Sequence, residues 1–328
     1  MRRRHFMALL GGALAAPALT RDARAQQPPV VGYLGAENPE RFASRLHSFR
    51  AGLAKAGFEE GRNVTIEYRW AEGHNDRLPA LANELVQRGV SVIAAPGSAA
   101  AALAAKGATA RIPIVFETGA DPIAVGLVGS LNQPSGNITG VTSLNLEVNP
   151  KRLELLHDVV PTARSFALLV NPTNPRSAQF TAADIQKAAR TLGVELNMLQ
   201  ASTEEQLGNA FAAMTALHAS SLVIESDPFF ATRSAQIAKL AVEHALPAVH
   251  QSREFAAAGG LMSYGGSTTE SHTQAGLYVG RILKGEKPGE LPVQRVTKVV
   301  FVVNLKAAHA LKIEVPPTLL ALADEVIE

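Results

Sequence analysis

From Val30 onward, short β-branched runs alternate with longer stretches whose apolar residues recur at helical spacing. The pattern predicts strands over 30–34, 63–70, 91–95 and 112–117. Helices fall between them, over 39–56 ending at Gly57, 76–87 ending at Gly89, and 98–106. A stretch rich in Gly, Pro, Ser and Asn, 132–143, reads as irregular. The alternation then resumes. Helices are predicted over 150–160, 178–192 ending at Gly193, 203–217, 234–244 and 271–283, with strands over 166–170, 194–199, 222–225, Ala248–His250 and 261–264. Strands that take turns with helices build parallel sheets covered on both faces. Two similar half-chains in succession imply two such α/β lobes.

Open parallel sheets bind ligands beyond the carboxyl ends of their strands. The loops of interest are therefore Gly35-Ala36-Glu37 after Tyr33, Gly97-Ser98, Thr118-Gly119-Ala120-Asp121, Asn171 to Asn174, Glu225-Ser226-Asp227, and Tyr264-Gly265-Gly266. Gly97-Ser98 opens a helix, whose free amides and positive end favour a carboxylate. Ser98 fits a plain N-cap as well. Thr118 with the amides of Gly119 and Ala120 makes a second donor cluster, and Asp121 before Pro122 also suits a cap. Glu225 and Asp227 can accept from an ammonium or hydroxyl, or stand as solvated loop carboxylates. Tyr33, Tyr264, Phe229 and Phe230 can wall an apolar group or pack in the core.

The N-terminus adds a location. Arg2-Arg3-Arg4-His5-Phe6 precedes a short apolar run, 8–18, and then Ala23-Arg24-Ala25. That order is an export signal with a twin-arginine character, cleaved after Ala25, and its apolar run is too short to span a bilayer. Removing residues 1–25 takes out five arginines and one aspartate, turning 31 basic and 29 acidic residues into 26 and 28. The basic pI of 8.9 thus belongs to the leader. No basic surface with interleaved aromatics is left for nucleic acid. The mature chain is expected in the periplasm, without membrane insertion and as a monomer.

Catalytic signatures are missing. With no cysteine in the chain, a thiol nucleophile, a thiolate metal site and a lipid-modified N-terminal cysteine are all excluded. Neither phosphate-cradling glycine fingerprint occurs. Ser263 stands in a near match to a nucleophile elbow, but Leu261 occupies the required glycine position. The nine histidines include no pair at metal-ligand spacing. His47, His157, His218 and His309 fit helix faces. The expectation is a protein with no catalytic residue, metal or cofactor.

The run Arg253-Glu254-Phe255-Ala256 to Tyr264-Gly265 resembles the substrate-binding proteins of ABC importers in the tryptophan/tyrosine-type family. Further matching stretches are 112–122, Gly136 to Val141, Asn171-Pro172, Arg281 to Gly285 with Pro288, Asn304-Leu305-Lys306, and Pro316-Pro317 to Glu325, so the resemblance covers nearly all of 28–328. It implies a type I periplasmic binding protein fold: two doubly wound parallel-sheet lobes joined by a three-crossover hinge. The division expected is 28–143 plus about 266–290, and 144–265 plus about 291–328. A small-molecule ligand, an amino acid or related carboxylate, would lie between the lobes for delivery to a membrane permease. Positions matching the family's cleft loops are Tyr33, Gly35, Ala36, Gly97, Ser98, Thr118, Gly119, Asp121, Asn171, Glu225, Ser226, Asp227 and Tyr264. His250-Gln251-Ser252 departs from the family's usual residues, so ligand identity does not carry over. The alternative role is a periplasmic sensing subunit for a receptor kinase or chemoreceptor.

Overall fold

The computed structural model describes residues 28–143, 145 and 147–328, so the stretch expected to be an export signal lies outside the described residues. The first sheet holds β1 (Val30–Gly35), β2 (Thr65–Trp70), β3 (Val92–Pro96), β4 (Ile114–Thr118) and β5 (Ile138–Thr142). The second is built from β6 (Ser165–Val170), β7 (Glu195–Gln200), β8 (Ser221–Ile224), β9 (Ala248–His250) and β10 (Met262–Gly266). A two-residue strand, β11 (Gln294–Arg295), returns to the first sheet, and β12 (Val299–Asn304) and β13 (Glu325–Ile327) complete the second.

The strand orders are β11-β5-β4-β3-β1-β2 and β13-β12-β10-β9-β8-β6-β7. Pairing is parallel throughout except between β10 and β12, which run antiparallel. The fold is thus the doubly wound, two-lobed α/β architecture that the alternation predicts. The irregular reading of 132–143 needs correction, because Ile138–Thr142 within it is a buried strand between β4 and β11. Gly140 hides it from the pattern and is needed there, since a Cβ would lie 2.2 Å from the Phe116 carbonyl oxygen.

Helices α1 (Ala43–Lys55), α2 (Leu78–Arg88) and α3 (Ala99–Ala108) cover the first sheet, joined by α10 (Thr268–Leu283) from much later in the chain. The second carries α4 (Asn149–Val159), α5 (Pro175–Leu192), α6 (Glu204–Ala216), α7 (Pro228–Ala231), α8 (Ser234–Glu243), α9 (Arg253–Ala257), α11 (Leu305–Ala310) and α12 (Pro317–Leu322). Left-handed Gly89 and Gly193 cap α2 and α5, as the sequence predicts. Each sheet separates two apolar clusters. Leu34, Ile93 and Phe116 face α2 and α3, whereas Val31, Tyr33 and Val115 face α1 and α10. Helices α1 and α10 touch backbone to backbone. A Cβ on Gly276 would lie 2.1 Å from the Phe49 carbonyl oxygen, so only glycine permits that approach.

The chain passes between the sheets three times, at 143–148, at Ser267 and at 296–298. The passages are bonded side by side. Asn145 Oδ1 accepts from the Gly266 amide (2.7 Å), and the Ser267 amide donates to the Lys298 carbonyl (3.3 Å). Arg152 braces them from α4. Its guanidinium is fully buried and donates to the Tyr264 carbonyl (2.6 Å), Ser226 Oγ (2.9 Å) and Asn149 Oδ1. Burial pushes its pKa down to about 9.

Candidate functional site

Loops after the strands of the first lobe meet loops after the strands of the second. Glu37, following β1, pairs with Arg233, between α7 and α8, at 3.2 Å. Arg41 donates to Glu204 (2.7 Å) and to the Thr232 carbonyl (3.3 Å). Asn75, after β2, donates to Thr173 Oγ1 (3.1 Å), and Arg176 reaches the Val125 carbonyl (2.6 Å). These contacts join the two lobes beside the predicted site loops.

In the first lobe, Ser98 is buried and caps α3 by accepting from the Ala101 amide (3.3 Å). The cap reading is therefore correct as far as it goes, and the hydroxyl proton is still free to donate outward. Gly97 before it has φ +87°, and a Cβ there would lie 3.0 Å from the Phe42 ring and 3.4 Å from His272 Nε2. Thr118 Oγ1 accepts from the Ala120 amide (3.1 Å), shaping the neighbouring loop, and Gly119 backs onto Asn145 of the first passage between the sheets. Asp121 uses its carboxylate to cap its own turn through the Ile123 amide (2.8 Å). Gly35 ends β1 against the Trp70 ring, which leaves no room for a Cβ there, and Ala36 follows it. Tyr33 is wholly buried among Phe49, Tyr68 and Trp70.

The second lobe contributes a buried acidic pair. Glu225 Oε2 accepts from the Asn171 amide (2.7 Å). Asp227 accepts from Asn171 Nδ2 (2.9 Å), Asn174 Nδ2 (3.1 Å) and the Phe229 amide (2.9 Å). Neither is the solvated loop carboxylate of the alternative reading. Burial and the nearby Asp227 charge push the Glu225 carboxyl up to about 8, and burial also raises Asp227. Ser226 instead receives Arg152 and donates to the Asn145 carbonyl (3.4 Å) in the first passage between the sheets. Tyr264 sits mid-strand on β10 with its ring against Phe301 (5.9 Å), partly buried on the second lobe's core.

Several groups that the fold brings to this place are not among the site residues the sequence reading gives. Glu117, at the end of β4, is buried 3.7 Å from His272 of α10. His272 Nδ1 lies 2.8 Å from the Thr268 carbonyl, which can only accept. The ring proton therefore sits on Nδ1, and Nε2 is a bare acceptor with no partner among the described residues. His250 Nδ1 accepts from the Ser252 amide (3.4 Å), so its unpaired Nε2 carries the proton. Burial lowers both histidines, His250 to about 3 with help from Arg152 and Arg45. Tyr33 Oη and Glu225 Oε1 are likewise buried without a partner among the described residues. Buried polar groups are normally satisfied, so a concentration of exceptions from both lobes marks a place built to be completed by something else. The groove of about 460 Å³ between α2 and α3, lined by Leu78, Pro79 and Leu103, offers no titratable group. Among the described residues, no cluster of His, Asp and Glu could hold a metal ion.

Two doubly wound lobes joined by three bonded passages define the type I periplasmic binding protein fold. The family model described as ABC transporter substrate binding protein matches residues 37–327, and the chain belongs to that family. It is 25% identical over 266 residues to a tyrosine-binding protein of Clostridioides difficile, covering 81% of this chain and 76% of that one. A Streptococcus pneumoniae ABC domain solved in complex with L-Trp superposes with a TM-score of 0.81 at 22% identity, over 90% of this chain and 100% of the other. A ligand-free, open substrate-binding protein with adhesive properties from Clostridium difficile gives 0.62, also at 22% identity, over 91% and 99%.

Proposed function

We propose that this protein captures a small organic acid, an amino acid or a close relative, between its lobes in the periplasm and hands it unaltered to an ABC permease. The observation that carries the reading is the presence in both lobes of buried polar atoms with no partner among the described residues: Tyr33 Oη and His272 Nε2 in one, His250 Nε2 and Glu225 Oε1 in the other. The Gly97-Ser98 and Thr118-Gly119 loops supply donors for the acid, while Glu225 and Asp227 receive an ammonium or hydroxyl. Contacts on both lobes make the closed form the tighter binder, so the guest shifts the population toward closure. The greater likeness to an L-Trp complex than to an open, ligand-free relative at equal identity supports a closed arrangement here.

Thermal unfolding of the protein against L-amino acids and aliphatic and aromatic acids tests the reading. A guest at 100 times its Kd adds about 2.7 kcal/mol to stability, readily seen as a raised Tm. If no compound raises Tm, the capture role fails.

A further inference from the structure

Arg45 stands in the first turn of α1 and is half-buried. Its guanidinium carbon lies 4.8 Å over the Phe42 ring. The neighbouring arginines, Arg41 just before the helix and Arg50 within it, are both ion-paired, to Glu204 and Glu60, each at 2.7 Å. Arg45, by contrast, has neither a carboxylate nor a hydrogen-bonding partner among the described residues. Its charge nevertheless acts on Tyr33 and His272 in the first lobe and on His250 across the cleft.

The surroundings give that charge a purpose. The Phe42 ring beneath Arg45 borders Gly97, where a Cβ would come within 3.0 Å of it and 3.4 Å of His272 Nε2. Arg45, the amides that open α3 and the buried Tyr33 hydroxyl therefore share one corner of the first lobe. An arginine stacked on an aromatic ring keeps its planar N–H edges free for a bidentate acceptor, and a helix start adds positive potential. Beyond His272, Glu117 contributes the one carboxylate of this corner, 3.7 Å from the ring nitrogen. Acceptors beside donors suit a molecule whose acid group adjoins an ammonium or hydroxyl.

We infer that Arg45 is the counter-ion for the guest's carboxylate, gripping it against the Ser98 amide and hydroxyl at the start of α3, and that it sets a requirement for 2-amino or 2-hydroxy acids. This assignment rests on the capture reading above and adds the residue that selects the acid.

Calorimetric titration of L-amino acids, 2-hydroxy acids, their carboxamides and a set of neutral sugars into the wild type, Arg45→Gln, Arg45→Lys and Arg50→Gln tests it. Arg50→Gln removes the same charge from the same helix at a site away from the cleft. For the acid that binds wild type, the carboxamide should bind about 10- to 100-fold more weakly, the range of a charge-assisted hydrogen bond. Arg45→Gln should weaken the acid by a similar factor and leave the amide unchanged, Arg45→Lys should fall between, and Arg50→Gln should change nothing. If Arg45→Gln keeps the wild-type ratio of acid to amide, or if only sugars bind, the inference is overturned while capture stands. If none of these compounds binds wild type, the capture reading fails and takes this one with it.

Discussion

Glu37 of the first lobe and Arg233 of the second meet 3.2 Å apart, with side-chain exposures of 2% and 10%. Arg233 also lies 3.9 Å over the Phe229 ring and donates to the Phe229 carbonyl (3.1 Å), so it is anchored in its own lobe before it reaches across. Burial raises the Glu37 pKa and the Arg233 charge opposes that rise, which ties the ionised carboxylate to this contact between the lobes.

Arg233→Ala strands Glu37 in a buried site that opening would rehydrate. A bond to a charged group contributes about 1.5–3 kcal/mol, so the open fraction should rise by about 10- to 100-fold. Small-angle scattering should show a larger radius of gyration, and Arg233→Met with Glu37→Gln should restore the compact form because neither charge is left unpaired. Unchanged scattering for Arg233→Ala would show that the pair does not hold the lobes together.

Much of this architecture is readable in the chain, for physical reasons that also say where reading stops. Alternating periods of strand and helix are local properties, and Gly89 and Gly193 mark helix ends because only a left-handed residue closes them. The strand at 138–142 is invisible locally, since Gly140 is dictated by a neighbour in β4. Helix α1 begins at Ala43 rather than at 39, because Asn38 Oδ1 accepts the Arg41 amide (2.9 Å) in a turn of its own. The loops bearing Ser98, Thr118, Asn171 and Asp227 stand out by composition. Arg45, Arg152, Arg233 and His272 do not, because on or beside a helix they look like solvent-facing polar positions. Their partners are fixed by packing across long sequence separations, as when α10 lies down beside α1.

Glu225 makes stability fall with rising pH. Its native pKa is raised from 4.5 to about 8, so the folded chain keeps a proton that the unfolded chain releases across that window. Stability should therefore be lost as pH climbs through it, at up to about 1.4 kcal/mol per pH unit. His250, depressed from 6.5 to about 3, acts oppositely: its contribution is lost as pH falls below 6.5. The two slopes cancel in part between 4.5 and 6.5, leaving Glu225 to dominate from 6.5 to about 8. Denaturant midpoints should drop over that upper range in the wild type and drop much less in Glu225→Gln. Equal slopes in the two proteins would contradict the burial argument.

Gly97→Ala should impair both stability and binding. A left-handed φ of +87° strains any residue with a Cβ, and here that atom also presses on Phe42 at 3.0 Å. The combined cost should be about 1–3 kcal/mol in urea denaturation. Because Gly97 opens α3 beside the proposed acid site, affinity for a carboxylate guest should fall as well. Wild-type affinity in a destabilised Gly97→Ala protein would separate this loop from recognition.

Small-angle X-ray scattering with and without the acid that most raises Tm tests the two-lobed capture account most directly. The radius of gyration should shrink on saturation, and Arg233→Ala should start larger and need more of the acid to reach the same compact value. Identical scattering with and without a saturating acid, or an acid chemically altered after incubation, would contradict it.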